Sequence, residues 1–245
     1  MYRVPRLLLA ASLLTMPAAP LLAQPALDPS GHWTGAIHIP AFNGAPSREV
    51  AIDIDLTNNA GGVLGGTFSQ PEQGVKGLPL SNVSRDGHTV SFEIKANGGG
   101  LFKGTQSDAT SISGEFVTTQ GGYNVPFDLK RTGDARIAAA PKSAPIGKEL
   151  EGTWNGAIDV GGKQERLVLT MTNHADGTAS GTIQDLDGSN VEIPIAITQK
   201  ASDVTIDVTV VGASYTAALN ANGELSGTWA QGPVSLPLTF KRVSK

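Results

Sequence analysis

Four histidines and a handful of carboxylates are the residues here whose chemistry could be put to work. His32 and His38 share one face of an alternating run. Six strand positions at about 3.3 Å each set them roughly 20 Å apart, too far to hold one metal together. His88 and His174 fall in turn-like stretches, where a solvated imidazole is the ordinary reading. Asp53 and Asp55 point to one side about 6.6 Å apart, a spacing that could suit an acid/base pair. The competing reading is a solvated strand face that discourages edge pairing. Asp185-Leu186-Asp187-Gly188-Ser189-Asn190 places oxygen ligands at alternate positions, like the beginning of a calcium loop. It lacks the distal bidentate Glu, and Asp187-Gly188 is also an ordinary hairpin turn. Gly-x-Ser-x-Gly, Ser-x-x-Lys, His-Glu-x-x-His and phosphate-loop patterns are all missing. These residues therefore predict no catalytic site, no metal and no cofactor.

The elements that carry these residues are short alternating runs. Gly31-His32-Trp33-Thr34-Gly35 returns as Gly152-Thr153-Trp154-Asn155-Gly156, and each copy opens a similar series of runs. The series close on Pro126-Phe127-Asp128-Leu129-Lys130-Arg131 and Pro237-Leu238-Thr239-Phe240-Lys241-Arg242. Residues 33–39 put Trp33, Gly35, Ile37 and Ile39 on one face, with His32, Thr34, Ala36 and His38 on the other. Val50, Ile52, Ile54 and Leu56 follow as an inward set, then a glycine-rich run at 63–68. Residues 69–79 read as a long connection. Beyond it come Val90, Phe92 and Ile94, a turn at Asn97-Gly98-Gly99-Gly100, a run at 101–106, then Ile112, Gly114 and Phe116, and last Val125, Phe127 and Leu129. The second copy is more compact. Leu167, Leu169 and Met171 face in, as do Val204, Ile206, Val208 and Val210, and Leu225, Gly227 and Trp229 match Ile112, Gly114 and Phe116. The expectation is an all-β chain of two tandem eight-stranded antiparallel up-and-down barrels, over 28–131 and 148–243. An Ala/Pro-rich linker over 132–147 is expected to be extended and semi-stiff.

Composition agrees with a β-rich protein. Among 245 residues, 16% are charged, and 30 glycines and 15 prolines supply turns. A net charge of −4 without a basic stripe argues against nucleic acid. Residues 1–23 have the form of a signal peptide: Arg3 and Arg6, an apolar core from Leu7 to Leu14, and Leu21-Leu22-Ala23 before a cut at Gln24. The expected location is periplasmic or extracellular in a bacterium, with no membrane span after cleavage. The chain has no cysteine, which excludes disulfides, thiol catalysis and a lipid-modified N-terminal Cys.

The Gly-x-Trp opening and the basic end of the last strand resemble the calycin superfamily, the lipocalins and their relatives. The resemblance implies that an Arg of the last strand packs across the Trp at the closed barrel end, pairing Trp33 with Arg131 and Trp154 with Arg242. A guanidinium over an indole is a cation–π contact of roughly 1–2 kcal/mol when desolvated. Residues 69–79 and Leu225-Ser226-Gly227-Thr228-Trp229-Ala230-Gln231-Gly232 are similar to the accessory barrel found N-terminal to bacterial secreted hydrolases. Avidins share the opening, yet their biotin pocket needs several Trp side chains, which this chain does not provide.

An eight-stranded barrel is just wide enough to be filled by side chains or to hold one small ligand. A hollow barrel would be lined by Ile37, Ile52, Ile54, Phe92 and Phe127 in copy one and by Leu169, Ile206, Val208 and Trp229 in copy two. Gly35, Gly65, Gly104 and Gly114 read as inward positions that either leave apolar space or let strands bend until side chains meet. Two readings follow. In one, the protein binds a small apolar ligand such as a lipid in one or both barrels. In the other, the barrels are packed and the protein is an interaction module that docks a partner such as a secreted hydrolase. Gln73-Gly74 and Tyr123-Asn124 are the candidate rims.

Overall fold

The structure, a computed structural model, describes residues 27–95, 99–119 and 121–244. The expected signal peptide and part of the 97–100 turn lie outside the described residues. The chain is all-β, with two antiparallel barrel sheets in tandem. The first comprises β1 (Gly31–Ile39), β2 (Arg48–Asn58), β3 (Leu64–Gln70), β4 (Val75–Pro79), β5 (Ser81–Asp86), β6 (Thr89–Ile94), β7 (Gly100–Asp108), β8 (Ser111–Thr118) and β9 (Asn124–Gly133). The second comprises β10 (Gly152–Val160), β11 (Lys163–Asn173), β12 (Ala179–Asp185), β13 (Glu192–Lys200), β14 (Asp203–Val208), β15 (Ala213–Leu219), β16 (Glu224–Gln231) and β17 (Val234–Ser244).

The second barrel is closed by eight strands, as its alternation predicts. The first differs. It is a nine-stranded sheet in the order β4-β3-β2-β1-β9-β8-β7-β6-β5, and residues 69–79 are not simply a connection. They hold the end of β3, a 3-10 turn at Pro71–Gln73 and all of β4. β4 pairs with β3 at one edge of the sheet and β5 with β6 at the other. The chain joins the two edges through Leu80, whose N–H donates to Gly66 O at 3.0 Å. β13 does the same work unbroken: Glu192 to Ile195 pair with β12, and Ala196 to Lys200 with β14. So β4 and β5 are one barrel strand split at Leu80. Gly77 and Pro79 hide the strand in the sequence, because Gly and Pro read as loop.

The repeat is kept down to individual hydrogen bonds. Trp33 Nε1 donates to Pro29 O at 2.8 Å, and Trp154 Nε1 donates to Leu150 O at 2.9 Å, each reaching back four residues. Both indoles are buried, so this bond satisfies a donor that would otherwise cost stability. The segment before each Trp is thereby pinned across the barrel end.

The linker is not a free spacer. Ser143 forms a two-hydrogen-bond bridge with Ala179, at 2.8 and 2.9 Å, and its Oγ accepts the N–H of Ile197 at 2.7 Å. Ile146 and Leu150 are buried in the second core. The barrels also touch each other. Val208 ends its strand, and Thr209–Val211 turn as a 3-10 helix. Val210, expected to face its own interior, instead packs with Ile193 against the first core beside β4.

Candidate functional site

Both barrel interiors are occupied by their own side chains. At the centre of the first, Phe102 is fully buried, with Phe92 stacked 4.9 Å away, Phe116 stacked at 4.3 Å and Phe127 edge-on at 5.1 Å. The glycines beside them do not open space. A methyl group on Gly104 would lie 2.7 Å from Ile112 Cγ2 and 2.9 Å from Phe127 Cζ. Gly65 does not face in at all. Pairing of Leu56 with Gly66 and Ile54 with Phe68 puts Gly66 inward, and a Cβ on Gly65 would meet nothing within 4 Å. In the second barrel Tyr215 lies edge-on to Phe240 at 5.4 Å, and Phe240 fills the space over Gly156. Tyr215 OH reaches Leu225 O at 2.8 Å and Leu238 O at 3.0 Å, and burial pushes its phenol far above the usual range.

The expected lining residues are brought together in these two cores. Ile37, Ile52, Ile54, Phe92 and Phe127 are buried in the first, and Leu169, Ile206 and Val208 in the second, with Trp229 half-buried against them. Phe102, Gln106 and Tyr215 are buried and are not singled out by the sequence pattern. For Phe102 and Gln106 the parity with Gly104 is the available signal.

The two Trp/Arg pairs differ. Arg242 lies over the Trp154 ring, 5.0 Å from its centre, and donates through one terminal nitrogen to the carbonyls of Lys148, Glu149 and Glu151. Arg131 is the strand partner of Trp33, and its Nε lies against Gly31, where a Cβ would sit 2.4 Å away. Gly31 and Arg131 thus share a space that any larger residue at position 31 would close. An open groove of about 640 Å³ runs past Arg242, lined by Lys148, Glu149, Glu151, Gly152, Met171 and Thr172.

The polar candidates resolve into structural contacts. His32 and Asp55 are buried rather than solvated, joined by Nδ1 and Oδ1 at 2.8 Å. The chain beyond β9 folds over them, and Arg136 N–H donates to Asp55 Oδ1 at 2.6 Å. That occupies one carboxylate of the Asp53/Asp55 pair. His38 sits outside the first barrel between Asp128, at hydrogen-bond distance, and Glu49 at 3.4 Å. The Asp128 hydrogen bond, partly opposed by desolvation, raises its pKa above the usual imidazole value. His88 Nδ1 meets Gln106 O at 3.1 Å, and His174 Nε2 meets Ser180 Oγ at 2.7 Å. The calcium-like stretch is a turn. Asp185 Oδ1 accepts the N–H groups of Asp187 and Gly188, and Asp187 takes the Arg166 guanidinium at 2.6 to 3.2 Å. That hydrogen-bonded Arg holds the Asp187 carboxyl down to about 2. Among the described residues, no group of three His, Cys, Asp or Glu side chains is placed to hold a metal.

Two surface features remain at the expected rims. Phe42 and Tyr123 are exposed and face each other at 6.3 Å, on loops at the end of the first barrel opposite Trp33. Phe42 opens a two-residue turn in which Asn43 and Gly44 both take positive φ, closed by hydrogen bonds between Phe42 and Ala45. The Gln73-Gly74 rim is exposed beside the 3-10 turn of the second barrel.

No protein-family model matches the chain, and a search of curated proteins finds no match. Among solved structures, a Bacteroides fragilis protein provisionally described as an outer membrane protein is 14% identical, with a TM-score of 0.27, over 86% of this chain and 95% of that one. A Nostoc punctiforme protein of unknown function from the DUF3598 family is 16% identical, with a TM-score of 0.25, over 88% of this chain and 96% of that one. At such scores neither likeness carries an argument about fold or function. No helix among the described residues is long and apolar enough to cross a membrane.

Proposed function

We propose that this is a non-catalytic, exported protein of two lipocalin-like barrels that works by docking a partner protein on its outer surface. The observation that carries the reading is the filled interior of each barrel, above all the four-phenylalanine cluster around Phe102. A barrel whose centre is aromatic and close-packed has no room for an acyl chain without expelling its own core. Against carriage of an apolar ligand, the other reading the sequence allows, stands the burial of its expected lining residues, Trp229 excepted, in the two cores. The exposed Phe42–Tyr123 pair supports a docking role, since paired surface aromatics are typical of protein contacts. The periplasmic or extracellular location belongs to the same proposal and rests on the leader.

Native mass spectrometry of the mature protein from its own host's periplasm tests this reading. The bare chain mass is expected, unchanged by prior organic extraction. An added mass that extraction removes would overturn it in favour of a ligand carrier.

A further inference from the structure

We propose that the seam between β3 and β5 of the first barrel is a slot for an extended peptide segment from another polypeptide. The second barrel shows what such a seam accepts. There β13 leaves β12 after Ile195, and linker residue Ser143 fills the gap by pairing with Ala179 on one side and accepting the Ile197 N–H on the other. The first barrel has the same break in pairing: β4 ends at Pro79, and beyond it β3 and β5 lie side by side without a ladder joining them.

The equivalence follows from hydrogen bonding. Asn59 N–H donates to Val63 O before β3 just as His174 N–H donates to Thr178 O before β12, so Leu64 stands where Ala179 stands. Gly66 O is turned away from β2 toward Leu80. By the two-residue strand period, the N–H and C=O of Leu64 point the same way, into the seam. Among the described residues no strand or bridge pairs with Leu64 on that side. On the other wall, Asn82 is an extra residue held at φ 48°, within a register shift between Ser81 and Ser84. A bulge bends the strand that carries it, so the edge of β5 that faces the seam is locally irregular. Gly65 leaves the outer approach clear, with nothing within 4 Å of where a Cβ would be, and Val63 beside it is 63% exposed.

Among the described residues no segment of this chain pairs into the seam. Ser143 precedes Trp154 by the interval that separates Leu22 from Trp33, and Leu22 lies upstream of the expected cut before Gln24. With the expected cleavage, the proposed occupant is a segment of another polypeptide. Its chemistry is that of the linker: extended, Ala- and Pro-flanked, with a central Ser or similar small residue whose backbone pairs with Leu64 and whose oxygen accepts an N–H from β5. Lys142, which meets Asp176 at 3.3 Å in the second barrel, finds only Gly61 at the matching position, so no cation is required.

Amide hydrogen exchange on the full mature chain tests the slot, using a synthetic peptide of residues 138–146 as the probe. In the free protein the Leu64 amide is expected to exchange at least about tenfold faster than the Ala179 amide. Excess peptide should slow Leu64 and leave Ala179 unchanged, while a peptide carrying Ser143→Pro, which lacks the N–H, should not. The slot is overturned if Leu64 is as protected as Ala179 without peptide. It is equally overturned if that protection grows with protein concentration, which would mean a second copy, or if excess peptide changes nothing. This inference deepens the docking function proposed above and fails separately from it, because the exchange of Leu64 says nothing about ligand inside the barrels.

Discussion

Gly104 and Gly65 look alike in the sequence, and their surroundings are opposite. A methyl group at Gly104 meets Ile112 and Phe127, whereas one at Gly65 meets open space. Gly104→Ala should therefore cost about 1–3 kcal/mol through overpacking, and Gly65→Ala should leave stability within about 0.5 kcal/mol. Chemical denaturation of both variants checks the pair, and equal effects would mean that the interior has slack. Phe102→Ala removes the ring that three others contact and should cost about 3–5 kcal/mol. His38 gives a signed pH effect. Its raised pKa means that its contacts with Asp128 and Glu49 add stability below the usual imidazole range, and that this contribution fades as pH climbs through the raised value. NMR titration of His38 should show an elevated midpoint that falls toward the ordinary value in Asp128→Asn.

At the scale of single strands, sequence alternation identifies those whose apolar residues keep strict period two. β2, β6 and β14 are such strands, with Ile52 and Ile54, Val90 and Phe92, and Val204 and Ile206 inward. It misses β4 because Gly77 and Pro79 interrupt the pattern, and it carries Val210 past the true end of β14 because a 3-10 turn preserves the apolar run. The register of β3 slips by one residue for a related reason. Gly65-Gly66 offers no side chain to mark the inward face, and only the pairing of Gly66 with Leu56 decides it. His32 and Asp55 obey their outward parity, but parity does not tell what covers a face, and here Arg136 does. The β12–β13 turn has its own acid dependence. Asp187, held to about 2 by Arg166, stabilises the fold above the usual carboxylate range and loses that contribution as pH falls toward 2. Asp187→Asn should flatten this part of the acid unfolding curve, followed by circular dichroism.

In the whole molecule, the repeat visible as Gly-x-Trp gives two barrels, but the joints between them are not periodic and left no pattern to read. The linker is anchored through Ser143 and Ile146, with Leu150 buried just beyond it, and the second contact is Val210 with Ile193 against the first barrel. Val210→Asp should place a charge in that contact and uncouple the barrels, so that calorimetry shows two transitions where the parent shows one. The central claim is that nothing enters either barrel. Methyl NMR of the mature protein, titrated with a long-chain fatty acid, addresses it most directly. The account predicts that the signals of Ile52, Ile54, Leu169 and Ile206 stay where they are. Saturable shifts confined to those interior methyls would contradict it and establish a binding cavity.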